Sequence, residues 1–465
     1  MKTKGAGMGR RLKKVSGKGE FFKGAAWIAV GGFVSKMIGA LYRIPLTNLI
    51  GGRGLGLYQL VYPVYCLLLT VSATGIPSSI AKLTAERLAK GKEDFPVFKT
   101  AMKLFLLIGG VGTALMALLA PLLAKAQGSQ EVLGGYYALA PSVLLVSAIS
   151  VFRGWFQGRN KMFPTAVSEM TEQLVKVGFG LLFAYWFRED VAKAVVSLLL
   201  AVSLSEGVTL LLMIIFFKRV PAPIKPKKDG GRVGMKTVLK LSIPVTLNAM
   251  LLPLSSLLDS VLVPRLLSAY ATDSVALYGL FAGGAVTVVN LPVSVCYGIA
   301  AASVPRVAMA STGKGARKRS FFSLFITALA GGISAIGLYF FAEPATRIIF
   351  KSLQEEELKT LVRLIKGLSV SALSLSCLQT LSACLTARGK PQCAALSTLT
   401  AVAVKTALYL PWLKNPNVSV YGLAYATNIA YLVALALDIL FLFIVTRKTE
   451  KEKTSQSEVE KGVGK

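Results

Sequence analysis

A few ionisable side chains interrupt long apolar stretches of this chain, and their spacing is that of a charged site inside a membrane. Lys36 and Arg43 are seven residues apart, which places them on one helical face. Glu169, Glu172 and Lys176 fall at i, i+3 and i+7, again one face. Glu206, Asp259, Arg265, Lys405 and Asp438 lie singly in or at the ends of other apolar runs. A charge at the bilayer centre costs at least ~2.5–3.5 kcal/mol, so such residues face a cavity or a partner. Arginine suits a phosphate because its planar guanidinium binds two oxygens at once, and lysine adds a compact charge. Lys36, Arg43 and Arg265 are therefore the candidate phosphate-binding residues. Glu169, Glu172, Lys176 and Asp259 are candidates for ion coupling or for ion pairs lining a cavity. A purely structural alternative pairs Glu172 with Lys176 along one helix and Asp259 with Lys36 between helices, while Arg43 and Arg265 snorkel to headgroups.

Other chemistries find no support. The chain has no histidine, which removes histidine acid/base catalysis, metal ligands and proton relays together. Cys66, Cys296, Cys377, Cys384 and Cys393 form no CxxC pair and read as small core hydrophobes. GAGMG at Gly5–Gly9 and GRGLG at Gly52–Gly56 follow no strand, so neither marks a dinucleotide fold. No GxxxxGK[ST] loop is present, so transport would draw on an ion gradient, the membrane potential or the substrate gradient. No constellation argues for an enzyme, a cofactor or a metal.

The elements that must position these charges are transmembrane helices. Of 465 residues 54% are apolar and 16% charged, against roughly 25% charged in a soluble domain. About twelve runs approach the roughly 20 residues that span hydrocarbon as a helix, the only open-ended element that satisfies its own backbone there. They fall near 24–46, 56–78, 104–125, 133–152, 163–187 and 194–217, then 239–264, 276–302, 320–342, 366–386, 392–412 and 420–446. The expected architecture is an all-α integral membrane protein of two pseudo-repeated six-helix lobes, 24–217 and 239–446, around a central cavity. A basic tail (1–23), a Pro/Gly/Lys-rich linker (218–238) and a polar tail (447–465) complete it. The net charge of +31 concentrates in alternate loops, the positive-inside pattern, which predicts cytoplasmic termini and excludes a nucleic-acid partner. The basic N-terminus lacks a small-x-small cleavage site, so the first apolar run reads as a helix rather than a leader.

The two halves echo each other. LGLYQL around Tyr58 precedes GIPSSIAKL, as VALYGL around Tyr278 precedes GIAAASVPRV; RNKMFPT before the fifth run parallels ARGKPQC before the eleventh. Both halves start from the same side, giving a parallel repeat.

At Arg153–Val177, RGWFQGRNKMFPTAVSEMTEQLVKV, the chain resembles the stage V sporulation protein B group. That group belongs to the polysaccharide-transport branch of the multidrug/oligosaccharidyl-lipid/polysaccharide exporter superfamily. The resemblance extends through Ser35–Pro63, Gly75–Gly91, Pro253–Leu267 and Asn290–Ala308. It implies a V-shaped bundle working by alternating access on an undecaprenyl-pyrophosphate-linked oligosaccharide, with basic residues of the first and eighth helices facing the cavity. Lys36 matches one such basic site and Arg43 another within one residue. The eighth helix departs, with Thr287 where an arginine is expected; Arg265 of the seventh is the substitute. Many relatives add two C-terminal helices that hold the lipid tail, whereas the runs counted here stop at twelve.

The expected function is thus a flippase of a lipid-linked peptidoglycan precursor for wall or spore-cortex synthesis, in the bacterial cell membrane. Its partners would be that lipid, membrane lipids and wall-synthesis enzymes. Two rivals stand: a cation-coupled multidrug exporter of the same fold, and a non-transporting scaffold for wall synthesis.

Overall fold

The computed structural model describes the backbone of residues 4–219, 234–308 and 313–463, and most side chains between Gly31 and Val445; Lys36 is among the side chains outside that description. All regular elements of the described residues are helical. The first, α1 (Lys4–Leu69), would be about 100 Å long if straight, far more than a bilayer needs. It is bent at Gly51, whose φ of 65° and ψ of −172° lie where side chains are strained. The first two expected runs therefore share one bent element. There follow α2 (Ile76–Ala89), α3 (Phe95–Ala126), α4 (Leu133–Gly158), α5 (Phe163–Trp186), α6 (Val191–Lys218), α7 (Met235–Ala249) and α8 (Leu251–Leu267). The rest are α9 (Ser274–Gly279), α10 (Val286–Ala308), α11 (Gly313–Ile349), α12 (Glu355–Ala387), α13 (Pro391–Leu413) and α14 (Tyr421–Val463).

Among the described residues nine segments are long and apolar enough to cross a membrane, and every one of the twelve expected runs falls on helix. The seventh is divided at Met250 between α7 and α8. Large apolar side chains point outward, Leu118 at 77% and Phe340 at 70% exposed, as a lipid-facing surface requires and a water-facing one avoids. The chain is a multi-pass α-helical membrane protein.

It divides into two compact units, Met1–Leu46 with Val61–Pro253, and Thr47–Leu60 with Leu254–Lys465. In the first, α4 packs on α2, α3 and α6. Gly154 and Gly158 of α4 make the approach to α2 possible: a Cβ there would sit 2.8 Å from Pro77 O and 2.7 Å from Ala81 O. This is the small-xxx-small device by which membrane helices gain dispersion contact. The rings of Phe98, Phe152, Trp155 and Phe217 cluster at 4.8–5.6 Å. Over them, Arg159 stacks 3.9 Å from the Trp155 ring and grips the buried Asp94 bidentately at 2.6 and 2.7 Å. Much of the RGWFQGRNK motif is therefore structural.

In the second unit α12 is the central helix, packed by α10, α11 and α14. Gln354 and Glu357 form its capping box. Segment 47–60, which contains the Gly51 bend, packs here through the repeated sequences. Gly279 of VALYGL and Gly56 of LGLYQL meet so closely that a Cβ on Gly279 would lie 2.3 Å from Gly56 N. Arg53 pairs with Asp273 at 2.8 Å, and Asn48 donates to Ile349 O at 2.8 Å. Gln59 donates to Ala282 O at 3.1 Å, within a π-helical turn (Leu280–Ala285) of the kind that frees backbone carbonyls.

Candidate functional site

The first unit encloses a cluster of charges contributed by α1, α4, α5 and α6. Its geometry begins with glycines. Gly31 lies against Ala166, where an added Cβ would approach to 2.9 Å; Gly39 lies against Gln173, and Gly180 against the Tyr42 hydroxyl. These contacts bring α1 and α5 close enough for Arg43 and the Glu169–Glu172–Lys176 face to share one space.

Arg153 of α4 organises the cluster. Its Nη2 donates to Glu172 Oε2 at 2.9 Å and its Nε to Ser168 Oγ at 2.9 Å. Gln173 Nε2 donates to the other oxygen of Glu172 at 3.3 Å. The Arg153–Glu172 pair is largely sequestered, with side chains 14% and 21% exposed, so its geometry rather than bulk screening determines its worth. Glu169 and Glu206 also lie within electrostatic reach of Arg153. Lys176, one turn beyond Glu172, interacts with Glu172, Glu206 and Arg43. No carboxylate among the described residues lies within ion-pair distance of its ammonium. Cys66 and Tyr65 of α1 border the same space, the former beside Arg43 and Lys176, the latter beside Glu172 and Glu206. Glu206 is 3% exposed, and its Oε2 is buried without a hydrogen-bond partner among the described residues.

Of the residues expected from sequence, the structure thus brings together Arg43, Glu169, Glu172 and Lys176. The hydrogen-bonded partner of Glu172 is Arg153, not the along-helix Lys176. Asp259 lies in the second unit, where α8 meets α13, and its Oδ2 accepts from Lys405 Nζ. Lys36 falls outside the described side chains; the ion-pair partner of Asp259 among the described residues is Lys405. Tyr409 and Tyr431 lie close to that pair. Arg265, in the last turn of α8, is exposed. The sequence reading gives no site role to Arg153 or Glu206. Arg153, just past the end of the fourth run, opens a motif recognised as a whole, and Glu206 is a lone charge with no charged neighbour at helical spacing.

A cluster with cations in electrostatic reach of each other, one of them with no carboxylate at ion-pair distance among the described residues, can hold an anion; a buried carboxylate near it can hold a proton or a small cation. Comparison with known proteins narrows the choice. A family described as "Polysaccharide biosynthesis protein" matches residues 21–311. The chain belongs to that family.

Among relatives of this family member, the stage V sporulation protein B of Bacillus subtilis (strain 168) is 28% identical over 356 residues, covering 72% of this chain and 68% of that protein. The lipid II flippase MurJ of the same organism is 28% identical over 171 residues, covering 34% of this chain and 31% of that one. Two solved structures share the fold at lower identity. An inward-facing multidrug resistance MATE family transporter of the MOP superfamily matches with a TM-score of 0.74 at 15% identity, over 90% of this chain and 96% of its own. The lipid II flippase MurJ in an inward closed conformation matches with a TM-score of 0.70 at 14% identity, over 91% of this chain and 89% of its own. The fold is that of MATE and MurJ transporters.

Proposed function

We propose that this family member is a flippase for an undecaprenyl-pyrophosphate-linked oligosaccharide, of the lipid II type, serving cell-wall or spore-cortex synthesis. The observation that carries the reading is the electrostatic proximity of Arg43 and Lys176 within the first unit, with no carboxylate among the described residues at ion-pair distance from the Lys176 ammonium. Two neighbouring cations repel, and an ammonium in a low-dielectric setting is stabilised when an anion arrives. A diphosphate supplies both charge and acceptors, and Lys36 and Arg265 would extend its contacts as the lobes alternate. Arg153 serves as the frame that fixes Glu172 through a 2.9 Å hydrogen bond.

Energetically the substrate's charge is the problem and also the drive. Binding to cations offsets the penalty of carrying a diphosphate through hydrocarbon. With cytoplasmic termini, as the basic loops predict, outward movement of each negative charge gains about 2.3 kcal/mol per 100 mV of inside-negative potential. No nucleotide site is needed.

A cation-coupled drug exporter is the second reading, favoured by the buried Glu206, whose Oε2 has no hydrogen-bond partner among the described residues. Translocation of labelled lipid II by the purified protein in proteoliposomes, beside ethidium efflux, separates the two. Flipping that falls on Lys176→Met supports the flippase; ethidium movement without flipping assigns the exporter.

A further inference from the structure

A diphosphate held by Arg43 and Lys176 changes the surroundings of one further group, Glu206 of α6. This carboxyl is buried, and its Oε2 has no hydrogen-bond partner among the described residues. The helices α4 and α5 pack on α6, and they supply the charges in reach of Glu206: Arg153 from α4, Glu172 and Lys176 from α5. Glu169 of α5 reaches Arg153. From α1, Tyr65 stands near Glu206, and Cys66 near Arg43 and Lys176.

The two carboxylates in reach of Lys176 are held unequally. Glu172 accepts from Arg153 Nη2 at 2.9 Å and from Gln173 Nε2 at 3.3 Å, so its charge is met by direct donors. Glu206 has no such donor at Oε2, and its charge is offset at longer range by Arg153 and Lys176. Lys176 has no carboxylate at ion-pair distance among the described residues, so in the empty protein Glu206 is one of its counter-charges. A diphosphate engages that cation and adds negative charge of its own where water screens poorly. A buried carboxylate that loses its counter-charge takes a proton rather than remain an anion. Glu172 keeps its donors, so Glu206 is the group that changes. Tyr65 and Cys66, a phenol and a thiol, already carry their protons near neutral pH, and the arrival of an anion asks nothing of them.

We propose, on the flippase reading above, that Glu206 takes up one proton from water as the diphosphate seats on Arg43 and Lys176, so that lipid and proton bind together. One O–H bond forms at Glu206 and no other covalent bond changes. By reciprocity each ligand tightens the binding of the other, the opposite of an exchange in which one displaces the other.

The test is calorimetric binding of lipid II to the full-length protein in phosphatidylcholine nanodiscs, in two buffers of different ionisation enthalpy, between about pH 5 and 8. The diphosphate is a diester whose phosphates stay ionised over that range, so it adds no titration of its own. Uptake should approach one proton per lipid within the range. Affinity should fall as pH rises, by up to about tenfold per pH unit, the limit that linkage sets for one proton. A protonated-carboxyl band should appear in the infrared difference spectrum of the parent on binding, which tells a carboxyl from Lys176 without any variant. Glu206→Gln should abolish the uptake, the band and the pH dependence together. Lipid binding with no proton uptake, with proton release, or with uptake that persists in Glu206→Gln overturns the proposal and leaves the flippase reading intact. Absence of lipid II binding at every pH removes the flippase reading and this coupling with it.

Discussion

Replacing Lys176 by methionine separates a substrate-binding cation from a structural one. Methionine keeps the length and apolar bulk of the lysine stem, so no sizeable cavity opens. In the structure Lys176 contributes no close ion pair among the described residues, while Arg43 is within electrostatic reach of it. Removing its charge relieves a like-charge repulsion and a desolvation penalty, so the folded protein should lose no stability and could gain a kcal/mol or so. Binding should respond in the opposite sense. A hydrogen bond to a charged group contributes about 1.5–3 kcal/mol, which converts to a loss of roughly 10- to 150-fold in affinity for the diphosphate lipid. Bare Coulomb attraction at 4 Å would give ~4 kcal/mol at an effective dielectric of 20, which sets the ceiling. Equilibrium binding of labelled lipid II in nanodiscs and a thermal melt of the same sample give the two readouts. If Lys176 were instead the structural partner of Glu172, its loss would destabilise the fold by about 3–5 kcal/mol and leave affinity unchanged. That pattern would refute the reasoning.

Arg153→Met should behave in the contrary way: Glu172 loses its 2.9 Å donor, stability falls by about 3–5 kcal/mol, and adding Glu172→Gln restores part of it; denaturation showing a loss below about 1 kcal/mol would speak against the framing role. For the buried pair of the second unit, with side chains 7% and 13% exposed, Asp259→Leu and Lys405→Met should each cost about 3–5 kcal/mol and the double variant far less than their sum; additive losses in a double-mutant cycle would contradict the pairing. Gly279→Val places carbon where Gly56 N already sits, so it should break the docking of segment 47–60. Short-reagent crosslinking of Asn48→Cys with Ser352→Cys, whose native side chains hydrogen-bond at 3.2 Å, should be efficient in the parent and fall with Gly279→Val. An undiminished yield would count against this contact.

The helices were legible in sequence because lipid imposes one rule, an apolar run of fixed length, and Leu104–Ala124 or Ala424–Val445 obey it without reference to any partner. The charged face of α5 was legible for a similar reason, since i, i+3, i+7 spacing is a local property. What the spacing could not convey is which partner arrives from another helix. Glu172 sits within reach of Lys176 along α5, yet Arg153, nineteen residues earlier, approaches with better geometry. Asp259 finds Lys405, 146 residues away, a pairing that no periodicity encodes. The repeat was visible as LGLYQL and VALYGL, but not that the two copies touch; that depends on Gly56 and Gly279 lacking side chains at the point of closest approach.

The central claim is the movement of a lipid-linked diphosphate, and the most direct measurement is translocation of fluorescent lipid II across proteoliposomes containing the purified chain, with ethidium efflux in parallel. The account predicts protein-dependent flipping that accelerates when the potential favours moving negative charge in the transport direction, and that drops at least about tenfold in Lys176→Met. Ethidium efflux with no lipid II movement, or flipping indifferent to Lys176, would contradict it.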